Sequence, residues 1–263
     1  MTLRVGVIGA AGRMGSTVCR AVSGAPDMEL VASIDPAGAG AAPSLDALEA
    51  GAAGVAVDFT VPGAAVANAL WCAERGIHCV IGTTGIDAPA LQALGAAFPA
   101  GGPLGCVVAP NFAIGAVLMM HFAALAAPWF DTAEIIELHH EHKVDAPSGT
   151  ALLTARRMEE ASSSWAPDPT EVEVVPGARG GGLGGGTAGG VAGGVRIHSV
   201  RMRGLVAHQE VILGTTGQTL TIRHDSLDRE SFMPGVLLAV RAVGDAPGRP
   251  GLTVGLEALL ELG

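Results

Sequence analysis

The sequence has very little lysine. Lys143 is the only one among 263 residues, and fourteen arginines carry the other positive side chains. Fifteen basic against twenty-five acidic residues give a formal net charge of −10, and no run of basic residues occurs. Nucleic acids and anionic membrane surfaces attract clustered positive charge, so neither is expected as a partner. An anionic small molecule would need its own local cation, which makes the position of Lys143 informative.

Paired cysteines are also missing. Cys19, Cys72, Cys79 and Cys106 show neither a C-x-x-C pair nor a zinc-ligand spacing, so we expect buried, reduced thiols and no disulfide framework. The first apolar run stops at glycines within ten residues, unlike a secretory leader. These features favour a cytoplasmic protein.

Charge is absent from residues 93–130. Pro99, Pro103 and Pro110 interrupt this stretch, and its uninterrupted part is about the minimum length that spans a bilayer. That part also contains His121 and Pro128. We therefore predict a buried helix and no membrane partner.

Short apolar segments alternate with helical segments through residues 1–111. Five of these segments are typical of buried parallel strands: LRVGVIG, ELVASID, GVAVDFT, HCVIGTTG and GCVVAPNF. The alternation predicts an α/β domain with a doubly wound parallel sheet, whose strands end at one common edge.

A different pattern begins at residue 112. It contains a long helix, the strand TAEIIELHH, a helix from about Ser148, and two strands, AHQEVILG and QTLTIRHDS. We predict a second, α+β domain with a mixed sheet over 112–225. Residues 226–263 return to a helical pattern and are expected to complete the first domain. Residues 180–194 contain ten glycines and predict a flexible surface loop.

The glycines Gly9, Gly12 and Gly15 form a G-x-x-G-x-x-G pattern between the first strand and the first helix. Such glycines let the backbone approach a pyrophosphate, which the helix N-terminus stabilises. Asp35, at the end of the second strand, is placed to accept hydrogen bonds from ribose hydroxyls. The pattern predicts dinucleotide binding.

Asp35 also bears on the choice of dinucleotide. Its carboxylate would repel a 2′-phosphate, and Pro36 stands where a phosphate-binding arginine could be. Arg13 could still reach such a phosphate. We expect both NADH and NADPH to serve, with NADH at least as good.

The segment ELHHEHKVDAPSGTA combines three histidines with Lys143 and a helix start near Ser148. A helix N-terminus favours an anion, lysine can donate a proton where arginine stays protonated, and imidazole supplies general acid–base capacity near neutral pH. Together with the dinucleotide pattern, the segment predicts hydride transfer to a small carboxylated substrate. His139, His140 and His142 cannot all share one face of a strand, so no metal site is expected.

The same segment is similar to the signature of 4-hydroxy-tetrahydrodipicolinate (dihydrodipicolinate) reductases, E-x-H-H-x-H-K-x-D-x-P-S-G-T-A. Further segments resemble that family in its order, and together they cover nearly the whole chain: VGVIGAAGRMG, DFT, GTTG, APNFAIGAV, GLVAHQEV and TIRHDS. The variant looks most like the actinobacterial branch.

The resemblance implies a Rossmann-like first domain, a homotetramer built by the second domain, and NAD(P)H-dependent reduction of a cyclic dicarboxylate in lysine and diaminopimelate synthesis. His139 would be the acid/base residue and Lys143 the proton donor. His140, Ser148, Gly149, Thr150 and Thr84 would bind substrate. The residues implied at the cofactor are Gly9, Ala10, Ala11, Gly12, Arg13, Met14, Asp35, Gly82, Thr83, Thr84, Ala109, Pro110, Asn111 and Phe112.

The chain departs from the family pattern at two places. Glu141 stands where many members have Arg or Pro, and the glycine-rich run enlarges a loop that is short in relatives.

The sequence also bears on three other functions. An NAD(P)H sensor without turnover would not need proton donors beside an anion site. A semialdehyde dehydrogenase would need an activated cysteine, for which no electropositive setting is visible. A reductase of another small carboxylated imine or carbonyl stays open.

Overall fold

The computed structural model describes residues 2–38, 40–183, 194–245 and 248–262. The chain divides into two compact units. Unit 1 is Met1–Ile114 together with Arg229–Gly263, and unit 2 is Gly115–Asp228. The sequence pattern predicts the two boundaries three residues earlier, after residues 111 and 225.

Unit 1 is built on a six-stranded parallel sheet with the order β11-β5-β4-β3-β1-β2. Its strands are β1 Leu3–Ile8, β2 Met28–Ile34, β3 Val55–Asp58, β4 His78–Ile81, β5 Gly105–Val108 and β11 Gly251–Val254. Its helices are α1 Arg13–Gly24, α2 Asp46–Ala50, α3 Pro62–Glu74, α4 Ala88–Ala97 and α7 Met233–Gly244. Short 3-10 turns occupy Arg229–Phe232 and Glu257–Leu259.

The order of the strands confirms the predicted doubly wound sheet. The chain starts at β1 in the interior, adds β2 on one side, and then adds β3, β4 and β5 on the other. All residues of β3 and β5 are buried, as expected of strands covered on both faces. One expectation was incomplete: the C-terminal segment supplies helix α7 as predicted but also strand β11, which extends the sheet beside β5.

Unit 2 contains a five-stranded mixed sheet with the order β10-β9-β6-β8-β7. Its strands are β6 Thr132–His139, β7 Gly181–Gly182, β8 Arg196–Arg201, β9 Ala207–Thr215 and β10 Gln218–Ser226. Its helices are α5 Ile114–Ala126 and α6 Gly149–Ala161, and a 3-10 turn occupies Ala127–Trp129. The predicted mixed sheet is confirmed, although β7 and β8 were not expected.

The predicted glycine-rich loop at 180–194 lies mostly outside the described residues. Within the part that is described, Gly181 and Gly182 pair with Ile197 and Arg196 as a short antiparallel strand. The charge-free stretch folds into part of α4, β5 and α5. Among the described residues, no helix has the length and apolarity needed to cross a membrane.

The register of the central strand β6 positions the site. It runs parallel to β8 and antiparallel to β9. Glu137 is flanked by Ser199 and Gln209, whereas His139, the last residue of β6, lies beside Arg201.

Candidate active site

The end of β6 presents Glu137 and His139 on the same face, because alternate residues of a strand point the same way. The Glu137 side chain is fully buried. Its carboxylate lies 2.5 Å from Nδ1 of His139. Since an ionised carboxylate can only accept, Nδ1 carries the hydrogen and Nε2 is left for exchange with a ligand.

Glu137 also accepts hydrogen bonds from Arg201, Ser148 and Ser199. The guanidinium of Arg201 donates to its two oxygens at 2.9 and 2.8 Å, and the backbone N–H of Ser148 donates at 3.2 Å. Burial favours the protonated acid, but hydrogen bonds from His139, Arg201 and Ser199 outweigh it and lower the pKa of Glu137 to about 2. Glu137 is therefore an anion at neutral pH.

The loop after β6 is tied back to the same cluster. Arg201 also donates to the backbone carbonyl of Asp145 at 2.6 Å. Lys143 donates from Nζ to both side-chain oxygens of Asp145, and this hydrogen bond is the largest cause that lowers the pKa of that carboxyl. In this conformation the single lysine is thus paired with a carboxylate of its own loop.

Helix α6 begins where the signature predicts. Ser148 is its N-cap, with a hydroxyl that accepts from the backbone N–H of Ala151 at 3.2 Å. Gly149 and Thr150 are the first two helical residues, at the end where the helix dipole favours an anion. The predicted carboxylate-binding residues therefore stand at a helix N-terminus that Glu137 fixes through Ser148.

The other two histidines of the signature occupy the exposed turn beyond β6. The ring centroids of His140 and His142 lie 6.3 Å apart, and Nε2 of His142 is 3.6 Å from Glu141. Glu141 in turn accepts from Arg203 at 2.7 Å. Over the described residues, no group of three or more His, Cys, Asp or Glu side chains could hold a metal ion.

In unit 1, the fingerprint loop has the shape that a pyrophosphate requires. Gly9 has φ +80°, a backbone conformation that favours glycine. A Cβ on Gly15 would collide with the carbonyl oxygen of Gly9, so α1 can pack this close only with glycine there. Gly12 is the N-cap of α1 and no side chain caps the helix. The N-terminus of α1 is consequently suited to a phosphate ligand.

Asp35 is bound to this loop through backbone amides. Its Oδ2 accepts from the N–H of Ala11 at 3.1 Å, and its Oδ1 accepts from the N–H of Ala37 at 3.0 Å. Each carboxylate oxygen retains a lone pair for a ribose hydroxyl. Arg13, the first residue of α1, is exposed. The structure thus fits a dinucleotide whose ribose lies beside Asp35.

The GTTG segment follows β4 at the same edge of the sheet. A Cβ on Gly82 would collide with the ring of Phe59. Thr83 is buried and its hydroxyl has no hydrogen-bond partner within the described ranges, whereas Thr84 is exposed. An unpartnered buried hydroxyl at this edge is consistent with a polar ligand group.

The APNF segment follows β5. Ala109 and Phe112 are buried, and Phe112 lies with its ring centroid 5.8 Å from that of Phe59. Asn111 accepts from the N–H of Ala113 at 2.9 Å, and Pro110 is exposed. Ala109 and Phe112 could therefore contact a cofactor through their backbone, while their side chains belong to the core.

Sequence reasoning missed two members of the unit 2 cluster. Glu137 belongs to the signature, and its position two residues before His139 on one strand is the signal that the two side chains share a face. Arg201 could not be found this way, since it reaches the site only through the pairing of β6 with β8.

Comparison with known proteins agrees with these features. Models of the dihydrodipicolinate reductase N-terminus and C-terminus match residues 3–112 and 115–260. A 4-hydroxy-tetrahydrodipicolinate reductase of Cutibacterium acnes is 51% identical over 99% of this chain and 99% of its own length. One from Nocardia farcinica is 50% identical over 100% of both. The solved structure of a dipicolinate-bound dihydrodipicolinate reductase from Paenisporosarcina sp. TG-14 is 38% identical, has a TM-score of 0.82, and covers 98% of this chain and 99% of that chain.

Proposed function

The chain belongs to the dihydrodipicolinate reductase family, and we propose that it reduces 4-hydroxy-tetrahydrodipicolinate to tetrahydrodipicolinate with NADH or NADPH, a step of diaminopimelate and lysine synthesis. One observation at the end of β6 supports the roles that we propose for individual residues of this chain. The carboxylate of Glu137 holds both His139, a proton-transfer group, and Ser148, the N-cap of an anion-binding helix end. Lys143 lies in the loop between them.

The substrate is a ring with two carboxylates, as is the dipicolinate bound by the Paenisporosarcina relative. Ser148, Gly149 and Thr150 bind one carboxylate at the N-terminus of α6, where the helix dipole and backbone N–H groups favour an anion. Lys143 supplies positive charge, and the exposed His140 contacts the substrate. Thr84, exposed at the GTTG segment, is assigned to the substrate as well.

The reaction takes up one hydride and one proton and releases one water. The reduced nicotinamide supplies the hydride when bound, after or with loss of the 4-hydroxyl. His139 exchanges a proton at Nε2, because its Nδ1 is engaged by Glu137. Lys143 donates a proton from Nζ, which a guanidinium would do far less readily. Loss of water places one proton on the departing hydroxyl and removes one from the adjacent ring carbon, and the ring takes one proton back after the hydride is added, so that the net uptake is one proton. His139 and Lys143 carry out these proton transfers.

Cofactor binding is assigned to the edge of the unit 1 sheet. The backbone from Gly9 to Met14 holds the pyrophosphate at the N-terminus of α1, and Asp35 accepts from the ribose. The segments 82–84 and 109–112 complete the site. The Asp35 carboxylate disfavours a 2′-phosphate, while Arg13 can offset this repulsion. Both dinucleotides are therefore used, with NADH at least as effective as NADPH.

We also propose that unit 2 assembles a homotetramer. Strand β10 is a nine-residue edge of the sheet, most of its residues are exposed, and Leu220 within it is an exposed apolar side chain. Long exposed edge strands are usually covered in a native protein. Light scattering on the purified protein tests this: a fourfold protomer mass is expected, and a monomer mass would contradict it.

The alternatives from the sequence gain no support. The matched models and relatives are reductases rather than regulatory proteins. Burial raises the pKa of Cys106 to about 12, and the neighbouring Cys72 and burial raise that of Cys79. Thiols of this kind are poor nucleophiles, unlike that of a semialdehyde dehydrogenase. All four cysteines are unpaired; Cys72, Cys79 and Cys106 are buried, as expected, whereas Cys19 is only half-buried. Unpaired thiols are also consistent with the reducing cytoplasm, which we propose as the location.

The reaction is tested by following absorbance of NADH and of NADPH with the purified protein. The substrate is made in situ by the preceding synthase from pyruvate and aspartate semialdehyde. We expect rapid oxidation of both cofactors that depends on the synthase. Cofactor binding without oxidation would contradict the proposal, and a kcat/KM for NADPH ten times that for NADH would contradict the cofactor assignment.

A further inference from the structure

We infer that Glu137 is the positioning residue of the proton-transfer site, with a buried carboxylate that fixes the tautomer of His139 and holds the N-terminus of α6. The inference rests on the proposed function, since it assigns a role to a neighbour of the acid/base residue.

The geometry links the two halves of the substrate site through one side chain. His139 and Ser148 are nine residues apart in the chain, yet both donate to Glu137. Arg201 bridges Glu137 to the carbonyl of Asp145, so the loop is held at a second point. A displacement of Glu137 would move the imidazole and the anion-binding helix end together.

The charges around His139 make the ionised state of Glu137 important. Arg201, on β8, places a positive guanidinium in the same cluster, and Lys143 and Asp145 pair with each other in the loop. On β9, His208 is engaged by Asp225 at 2.7 Å. Without the Glu137 carboxylate, His139 would lose the acceptor of its Nδ1–H while Arg201 stays beside it on β8.

The residues beside Glu137 on the two neighbouring strands carry no charge. They are Ser199 and Gln209, and the amide of Gln209 donates to Thr154 at 2.7 Å. The residues that α6 buries are also uncharged: Ala151, Thr154, Ala155 and Met158. The carboxylate of Glu137 is therefore shared between the ring of His139, the guanidinium of Arg201 and the backbone of Ser148.

Glu137→Gln removes the charge and keeps nearly the same shape. The amide oxygen can still accept from Ser148, so substrate KM should change by less than about fivefold. The amide N–H₂ group takes the place of the oxygen that accepts from His139 and Arg201. Because His139 is then no longer held in the same way, kcat should fall by about 10- to 100-fold. The hydrogen of the neutral His139 ring should move from Nδ1 to Nε2, because an amide N–H₂ opposite Nδ1 can only donate.

Two companion variants make this test specific. Glu137→Asp keeps a carboxylate on a shorter side chain, so the Nδ1–H tautomer of His139 should be retained even if kcat stays low. Glu134→Gln is the matched control: Glu134 lies on the same strand and also pairs with one His and one Arg, His198 at 2.6 Å and Arg179 at 2.7 Å. It should leave both kcat and the tautomer of His139 unchanged.

An Nδ1–H tautomer of His139 in a folded Glu137→Gln variant, read from its long-range ¹H–¹⁵N spectrum, would overturn the inference. So would equal effects of the Glu134 and Glu137 substitutions. Failure of the wild type to oxidise cofactor would instead contradict the proposed function, because the variants are compared only with an active parent.

A second measurement needs no Glu137 variant. In ¹⁵N-histidine-labelled wild-type protein, long-range ¹H–¹⁵N spectra identify which ring nitrogen of each neutral histidine carries hydrogen. The signal lost in His139→Gln assigns His139. We expect the Nδ1–H tautomer, and an Nε2–H tautomer would overturn the inference whether or not turnover is seen.

Discussion

Nζ of Lys143 lies 2.8 and 2.9 Å from the two carboxylate oxygens of Asp145. The side chain of Lys143 is 22% exposed and that of Asp145 is 55% exposed, so the pair stands at the surface of unit 2. A substrate carboxylate that binds Lys143 must therefore compete with a carboxylate of the same loop. The exposed carboxylate of Asp145 can turn toward solvent when the substrate binds.

Asp145→Asn should lower the substrate KM by up to about fivefold, since exposed ion pairs are worth about 0.2–1 kcal/mol. The turnover number should not rise, because the proton donors are unchanged. Steady-state kinetics at low and high salt check this, as the gain should shrink when salt screens the pair. A raised KM would show that Asp145 helps to hold Lys143 in place.

Acid should weaken the protein partly through Glu137. Its pKa is about 2 in the fold, against an ordinary value of 4.5, so its stabilisation is present above pH 4.5 and is lost as pH falls toward 2. The loss is on the order of 3 kcal/mol. Urea unfolding of wild type and Glu137→Gln should give stabilities that differ at pH 7 and converge below pH 4. Parallel curves would contradict this account.

Gly15→Ala should weaken cofactor binding at least tenfold, because the added methyl meets the Gly9 carbonyl and forces α1 away from the loop. Gly63→Ala is the matched control, since nothing lies within 4 Å of a Cβ at that position in α3. Titration of NADH fluorescence measures both. Equal affinities in the two variants would show that the close approach of α1 is not needed.

The order of the elements could be predicted well where the pattern was strong. The buried runs of β1 and β3 and the glycines that open α1 left little choice of structure. Strand β11 was missed because four residues, Gly251–Val254, carry no usable period and gain their pairing only beside β5. Strand β8, RIHSVR, was missed because its two apolar residues, Ile197 and Val200, are three positions apart and lack the alternation typical of a strand.

The site was predictable only where its members are close in sequence. His139, Lys143 and Ser148 lie in one signature, whereas Arg201 joins it from β8 through tertiary pairing. The burial of Glu137 was also invisible, because a glutamate in a strand is usually solvated. The resemblance assigns both Thr83 and Thr84 to the cofactor and Thr84 also to the substrate, but only the fold shows that Thr83 is buried and Thr84 exposed.

The single lysine remains the most informative residue of the sequence. If Lys143 only held a carboxylate, arginine would do so with a second hydrogen bond. Because lysine gives up a proton far more readily than arginine, the choice of residue points to proton donation. The substitution that keeps the charge and removes the readily donated proton is therefore decisive.

The most direct measurement is cofactor oxidation by wild type, Lys143→Arg and His139→Gln in one assay, with substrate generated in situ. The control is Arg156→Lys, an exchange between arginine and lysine at an exposed position of α6. We predict wild-type rates for Arg156→Lys and a fall in kcat of about 10²- to 10⁴-fold for the other two variants. A Lys143→Arg enzyme that keeps near-normal turnover would contradict the account, since Lys143 would then be an electrostatic anchor and not a proton donor.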